Sequence, residues 1–242
     1  MIYYIICAVA GYLIGSIPFG YILVKLRKGV DIRTLGSGNI GATNVGRVIG
    51  WPWGILCFLL DAAKGFIPTL YVFFNLSLSP QVMYELSQND PYTHYSVYFP
   101  EAGSAIAIGL GIILGHLFPV YIRFKGGKGV ASALGVFSAL TSNATMIAFI
   151  VWLIFFLALR YISFASIMAA ISLPISFAWV TQFEYPRIWE YYYTIPLLAT
   201  CIFVALLVII KHIPNIKRLI AGTEPKVRLW GAKPQINTDE HK

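Results

Sequence analysis

Long apolar runs alternate along this chain with short polar, glycine-rich interruptions, and the run lengths give the first prediction. Crossing a hydrocarbon core about 30 Å thick takes roughly 20 helical residues. Seven segments approach or meet that length, at residues 2–26, 51–75, 103–122, 129–140, 143–159, 161–181 and 193–210. The fourth is short, and Thr141, Ser142 and Asn143 are its only separation from the fifth. The pattern predicts an all-α integral membrane protein of about seven transmembrane helices. One membrane-embedded domain is expected over residues 1–242, including a loop at 77–102 and a polar tail at 225–242.

The positions of Lys and Arg test that count, because basic residues collect on the cytoplasmic side of a membrane protein. With the N-terminus outside and the C-terminus cytoplasmic, all but two of the 18 basic residues fall on the inner side. The exceptions are Arg187, outside, and Lys64, within the second span. The 77–102 loop carries Glu85, Asp90 and Glu101 but no Lys or Arg, as an outer loop should. It also holds Pro80, Pro91 and Pro100, so only local order is expected there. The apolar N-terminus lacks the basic n-region of a secretory signal and reads as a retained first span.

Composition narrows the class. A hydrophobic content of 58%, a charged content of 12% and a mean hydropathy of +0.72 exclude a soluble globule. The net charge of +8 then reflects basic inner loops rather than a nucleic-acid partner. Cys7, Cys57 and Cys201 all lie in apolar runs without CxxC or His-spaced companions. Neither a disulfide framework nor a metal site is expected.

Three inner segments carry the candidate chemistry: GSGNIGATNVGR (36–47), GHLFPVYIRFKGGKGVAS (115–132) and KHIPNIKRLIAGTE (211–224). Glycines free backbone N–H groups to form an anion-cradling nest, and Arg, Lys, His, Asn and Ser add donors and charge. In the first, Ser37, Asn39, Thr43, Asn44 and Arg47 alternate with Gly36, Gly38, Gly41 and Gly46. In the second, Lys125 and Lys128 surround Gly126 and Gly127, downstream of His116. It is not a P-loop, since no Ser or Thr follows Lys128. The third offers His212, Asn215, Arg218 and Glu224. Against these stand plainer readings: a tight loop satisfying its own backbone, and lysines that merely anchor the inner face. Asp61 and Lys64, three residues apart on one helical face, either neutralise each other structurally or reach a substrate. No nucleophile motif such as GxSxG occurs, nor does HExxH. Three such segments on one face point to a phosphorylated substrate.

These segments resemble those of the bacterial acyl-phosphate-dependent glycerol-3-phosphate acyltransferases, the PlsY family. The resemblance rests on Ser37, Gly38, Asn39, Thr43, Asn44 and Arg47, on His116 with residues 124–129, and on His212, Asn215, Ile216, Arg218, Leu219, Gly222 and Glu224. RYISFASI (160–167), with Ser163 and Ser166, is similar to a fourth family element, and Asp61, Lys64 and Gly65 match a family span. It implies transfer of a fatty acyl group from acyl phosphate to the 1-hydroxyl of sn-glycerol 3-phosphate, giving lysophosphatidate and inorganic phosphate, the first committed step of phospholipid synthesis. Ser37, Arg47, Lys125, Lys128, His212 and Asn215 would then be catalytic. Gly38, Asn39, Gly41, Thr43, Asn44, His116, Gly126, Gly127, Ser163, Ser166 and Glu224 would bind substrate. No cofactor or metal is implied. A monomer in the bacterial cytoplasmic (inner) membrane is expected, its site open to the cytoplasm. The 77–102 and 182–192 stretches look longer than the family's. Rival readings are an organic-phosphate transporter, disfavoured by the lack of an internal repeat, and a lipid-binding membrane protein, which leaves the basic glycine segments unexplained.

Overall fold

A computed structural model describes residues 2–77, 93–184 and 194–227. Ten α-helices appear among the described residues: α1 (Ile2–Gly15), α2 (Phe19–Lys28), α3 (Ala42–Ile49), α4 (Trp51–Ser77), α5 (Thr93–Leu117), α6 (Val130–Leu140), α7 (Ser142–Leu159), α8 (Ile162–Glu184), α9 (Ile195–Lys211) and α10 (Ile213–Ile220). Five spans are long and apolar enough to cross a membrane, α1 and α2 forming one of them, and a sixth counts if the bent pair α9 and α10 is a single span. Large apolar side chains cover the outside, among them Ile150, Ile154 and Leu157 on α7. Such a surface suits lipid and not water.

Two expectations shift. The predicted fourth span is the 11-residue α6, roughly 16 Å long and too short by itself for a hydrocarbon core of about 30 Å. Protein surrounds it instead: Ser132, Ala133, Val136, Phe137 and Leu140 are all buried, so its ends need not meet lipid. Helix α5 begins at Thr93, so part of the expected outer loop is helical. Residues 78–92 of that loop and the tail beyond residue 227 lie outside the described residues.

Small residues decide how the spans meet. Gly11 and Gly15 on α1 face Gly111 and Gly115 on α5. A Cβ at any of the four would fall on a backbone carbonyl of the other helix, Ile108, Ile112, Ala8 or Tyr12 respectively. This is a pair of facing GxxxG stripes, which lets two membrane helices pack backbone to backbone. Gly65 on α4 and Gly135 on α6 meet Ser132 and Ala62 carbonyls in the same way.

Two breaks place polar backbone inside the bundle. At Ser16–Pro18 the first span breaks, and the freed Ile17 carbonyl accepts from Lys64 Nζ at 2.9 Å. At His212 the chain bends by 55° between α9 and α10, where Pro214 cannot continue the hydrogen-bond ladder. The second break turns α10 across the end of the bundle.

One end of the bundle gathers the basic segments. Arg33 Nη1 donates to the Ile122 carbonyl at 2.8 Å, Lys211 Nζ to the Leu117 carbonyl at 3.2 Å, and Val227 N to the Arg160 carbonyl at 2.9 Å. The C-terminal ends of α2, α5, α7 and α9 therefore lie together, as charge placement requires. Beneath them the core of α5, α6, α8 and α9 packs Ile112, Val136, Phe137, Phe177 and Leu197.

Candidate active site

The first segment is a loop built around Asn44, which is 2% exposed. Its Oδ1 accepts from Ser37 N at 2.9 Å, and its Nδ2 donates to the Leu35 and Asn39 carbonyls at 3.0 and 2.8 Å. Asn39 Oδ1 accepts from Gly41 N at 2.8 Å. Gly36 has a φ of 58°, and a Cβ there would collide with Asn44 Oδ1, so only glycine lets the loop close over Asn44. Asn39 and Asn44 thus shape the loop. The N–H groups of Ser37, Gly38 and Gly41 are also consumed within it. The expected nest at 36–41 therefore has few donors left. Ala42 and Thr43 instead open α3, and the first turn of a helix leaves N–H groups without intrahelical partners beside the positive end of its dipole.

The second segment carries Lys128. Gly129, with a φ of 82°, starts α6, and Lys128 Nζ donates to Asn215 Oδ1 at 2.6 Å. Asn215 Nδ2 donates to Glu224 Oε1 at 2.7 Å, Ser163 Oγ to the same oxygen at 2.7 Å, and Arg218 Nε to Oε2 at 2.7 Å. Glu224 is therefore the hub that ties the third segment to α8 and, through Asn215, to Lys128. Burial pushes its carboxyl up, but hydrogen bonds from Ser163, Asn215 and Arg218 outweigh that and hold it below the ordinary carboxylate value.

Burial pulls the Lys128 ammonium down to about 8; Glu224 opposes the shift, and Arg218 and Arg47 add to it. Burial likewise lowers Arg47, with Glu224 raising it and Arg218 lowering it. Three cations, Arg47, Lys128 and Arg218, then surround one carboxylate. The surplus of two positive charges matches a phosphomonoester, which carries about −1.5 to −2 at neutral pH.

His212, 2% exposed, turns Nδ1 to the Val208 carbonyl at 2.7 Å. A carbonyl only accepts, so Nδ1 carries the proton and Nε2 remains as an acceptor.

These groups, Arg218 excepted, open onto one cavity of about 730 Å³. Its polar end is lined by Ser37, Asn39, Gly41, Thr43, Asn44, Arg47, Asp61, His116, Lys128, Ser163, Ser166, His212, Asn215 and Glu224. Lys125 is exposed and does not line it, nor do Gly38, Gly126 and Gly127. From the polar end an apolar arm runs between α6, α7, α8 and α9, past Trp152, Ala148, Ala170 and Val204 to Phe137, Thr145 and Leu173. Ser163 to Leu173 spans ten helical residues, roughly 15 Å. Trp152 stacks with Phe149 and Phe156 and approaches Ser166 Oγ at 3.3 Å with its Nε1, which walls one side of the arm. The aromatic wall carries no polar motif, so sequence reasoning missed it. The three aromatics at 149, 152 and 156 share one face of a helix, and that spacing was the available signal. Among the described residues no group of three or more His, Cys, Asp or Glu could hold a metal ion.

Known proteins share this architecture. A solved structure of PlsY (YgiH), an integral membrane glycerol 3-phosphate acyltransferase in its glycerol 3-phosphate form, superposes with a TM-score of 0.72 at 38% identity, covering 93% of this chain and 96% of that one. Its lysophosphatidic acid form gives 0.70 at 37% identity, covering 93% and 95%. The glycerol-3-phosphate acyltransferase of Aquifex aeolicus is 41% identical over 213 residues, 88% of this chain and 93% of the relative. That of Endomicrobium trichonymphae is 37% identical over 233 residues, 96% and 100%. The family model described as glycerol-3-phosphate acyltransferase matches residues 5–222, from the first span into the third basic segment. A phosphate-sized charge surplus at the mouth of an apolar arm, on a chain matched over nearly its whole length, gives one assignment: this integral membrane acyltransferase belongs to the glycerol-3-phosphate acyltransferase family.

Proposed function

We propose that this enzyme transfers a fatty acyl group from acyl phosphate to the 1-hydroxyl of sn-glycerol 3-phosphate, releasing lysophosphatidate and inorganic phosphate. The observation that carries the proposal is one cavity joining the Arg47 and Lys128 cations, with Arg218 behind them on Glu224, to an apolar arm roughly 15 Å deep. A solute phosphate needs only the first; an acyl donor needs both.

Arg47 and Lys128 hold the phosphate of glycerol 3-phosphate, with Arg218 behind them on Glu224, and His212 Nε2 accepts from a glycerol hydroxyl, while Ser37, Thr43 and the first turn of α3 hold the acyl phosphate, its chain in the arm. The 1-hydroxyl oxygen bonds to the acyl carbon as the bond from that carbon to the phosphate oxygen breaks. The N–H groups of Ala42 and Thr43 are the candidate donors to the developing oxyanion. The hydroxyl proton passes to the departing phosphate, directly or through His212 Nε2. Phosphate is a good leaving group, so holding the reactants in line supplies much of the catalysis, roughly 7–11 kcal/mol at best. Asn215, Ser163 and Glu224 orient Lys128 and Arg218. His116 and the Gly126–Gly127 segment support Lys128 from behind, and Lys125 is left to the surface.

The same reading puts the N-terminus outside, the C-terminus and the site on the cytoplasmic side of a bacterial inner membrane, and α6 and α7 together as the fourth and fifth crossings. The gathered ends of α2, α5, α7 and α9 support that alternation.

The test is an assay of purified protein in detergent with palmitoyl phosphate and glycerol 3-phosphate, following phosphate and lysophosphatidate together, with palmitoyl-CoA and an acyl carrier protein thioester as alternative donors. Equal formation of both products from palmitoyl phosphate alone is expected. Turnover of a thioester in preference to acyl phosphate would overturn the donor assignment.

A further inference from the structure

Two buried ionisable side chains on α4 take no part in the reaction above. Lys64 and Asp61 are 4% and 3% exposed at the side chain and pair at 2.7 Å. The Lys64 ammonium also donates to the Ile17 carbonyl at 2.9 Å and lies over the Phe19 ring at 5.5 Å. It is buried and does not line the cavity, whereas Asp61 does. Asp61 Oδ1 faces His116 Nδ1 at 3.4 Å, and that nitrogen has no aligned hydrogen bond among the described residues. A buried ion pair contributes little net stability compared with apolar side chains of the same volume, so helix packing alone does not account for it.

His116 leads from the pair to the site. Its carbonyl accepts from Gly127 N at 3.0 Å, and a Cβ at Gly127 would fall on its Nε2. The ring therefore occupies the space beside Gly127, one residue before Lys128. We infer that Asp61 and Lys64 are positioning residues. Anchored on the broken first span, they hold the His116 ring, and through it the Gly126–Gly127 segment, where Lys128 can reach Asn215 and substrate. This inference rests on the proposed glycerol 3-phosphate reaction only for its kinetic readout.

The experiment compares Asp61→Asn, the double substitution Asp61→Asn with Lys64→Met, His116→Gln, and Asp61→Asn combined with His116→Gln. Asp61→Asn strands Lys64 and lowers the thermal midpoint; removing both charges restores the midpoint. The KM for glycerol 3-phosphate rises roughly tenfold in both, with kcat changed less than about threefold. On the His116→Gln background Asp61→Asn adds less than about twofold, because the two act in series. Hydrogen exchange at the Gly127 amide reads this segment without any turnover, and it quickens about tenfold in Asp61→Asn and in the charge-free double variant. Recovery of KM and Gly127 protection along with the midpoint in the charge-free double variant would reduce the pair to a structural tie and overturn the inference. Unchanged exchange, or effects of Asp61 and His116 that multiply, would overturn it equally. An unsubstituted chain inert toward glycerol 3-phosphate sinks the proposed function instead, and the exchange result still decides the positioning role.

Discussion

Replacing Lys128 by Met separates two lysines that were equivalent along the sequence. Lys128 is partly buried and donates to Asn215 at 2.6 Å; Lys125 is exposed. Met keeps the aliphatic stem and removes the charge. A hydrogen bond to a charged group contributes about 1.5–3 kcal/mol, so losing one to substrate phosphate lowers kcat/KM roughly 10- to 150-fold. The loss increases because Asn215, 5% exposed, is left with an unpaired Oδ1, at about 1 kcal/mol. Lys125→Met, a surface change, stays within about twofold. The assay measures kcat and KM for both substrates. Because burial brings the Lys128 ammonium down to about 8, and the cation is the binding form, KM for glycerol 3-phosphate should rise as pH rises through about 8. Lys128→Arg, whose guanidinium stays charged, should remove that rise. Equal damage from Lys125→Met and Lys128→Met, or a loss of less than about threefold for Lys128→Met, would refute the reasoning.

Other outcomes follow from the same geometry. Arg47→Ala should lower kcat/KM by at least about a hundredfold, since a guanidinium can give a phosphate two charge-assisted hydrogen bonds; retention of a tenth of the activity in steady-state kinetics would contradict its place in the site. Ala170→Phe narrows the acyl arm about 10 Å from Ser163, and overpacking of about 1–3 kcal/mol should reduce turnover of palmitoyl phosphate roughly 5- to 150-fold while hexanoyl phosphate, whose chain stops short of residue 170, changes little. An equal loss for both chains would show that the arm does not hold the acyl group. Gly111→Leu drives a side chain into the Ala8 carbonyl on α1, so the thermal midpoint in detergent should fall clearly more than for Ile150→Leu on the outer surface of α7.

Much of the architecture was legible because membrane physics leaves few choices. A buried backbone must be helical, so long apolar runs predicted helices, and Arg and Lys placement predicted the shared end of the bundle. The exceptions have physical causes. Helix α6 is shorter than a bilayer because its neighbours, not lipid, enclose it, and a hydropathy pattern does not distinguish those surroundings. The GxxxG stripes at Gly11 and Gly15 and at Gly111 and Gly115 were visible as spacing, yet spacing does not say which stripe faces which. For the site, glycine and charge marked the three segments, but Asn39 and Asn44 read as substrate donors whereas their side chains hold the loop.

Sequence alone therefore determined the class of molecule, the end where the chemistry gathers and the kind of charge it presents, because hydropathy and charge act locally and sum along the chain. Only the tertiary structure decided that Lys128 and not Lys125 enters the cavity, that Glu224 holds Ser163 from 61 residues away, and that an apolar arm opens from the cations. Those relations depend on which helices touch and how closely, and close approach depends on side-chain shape across the interface, which no single segment encodes.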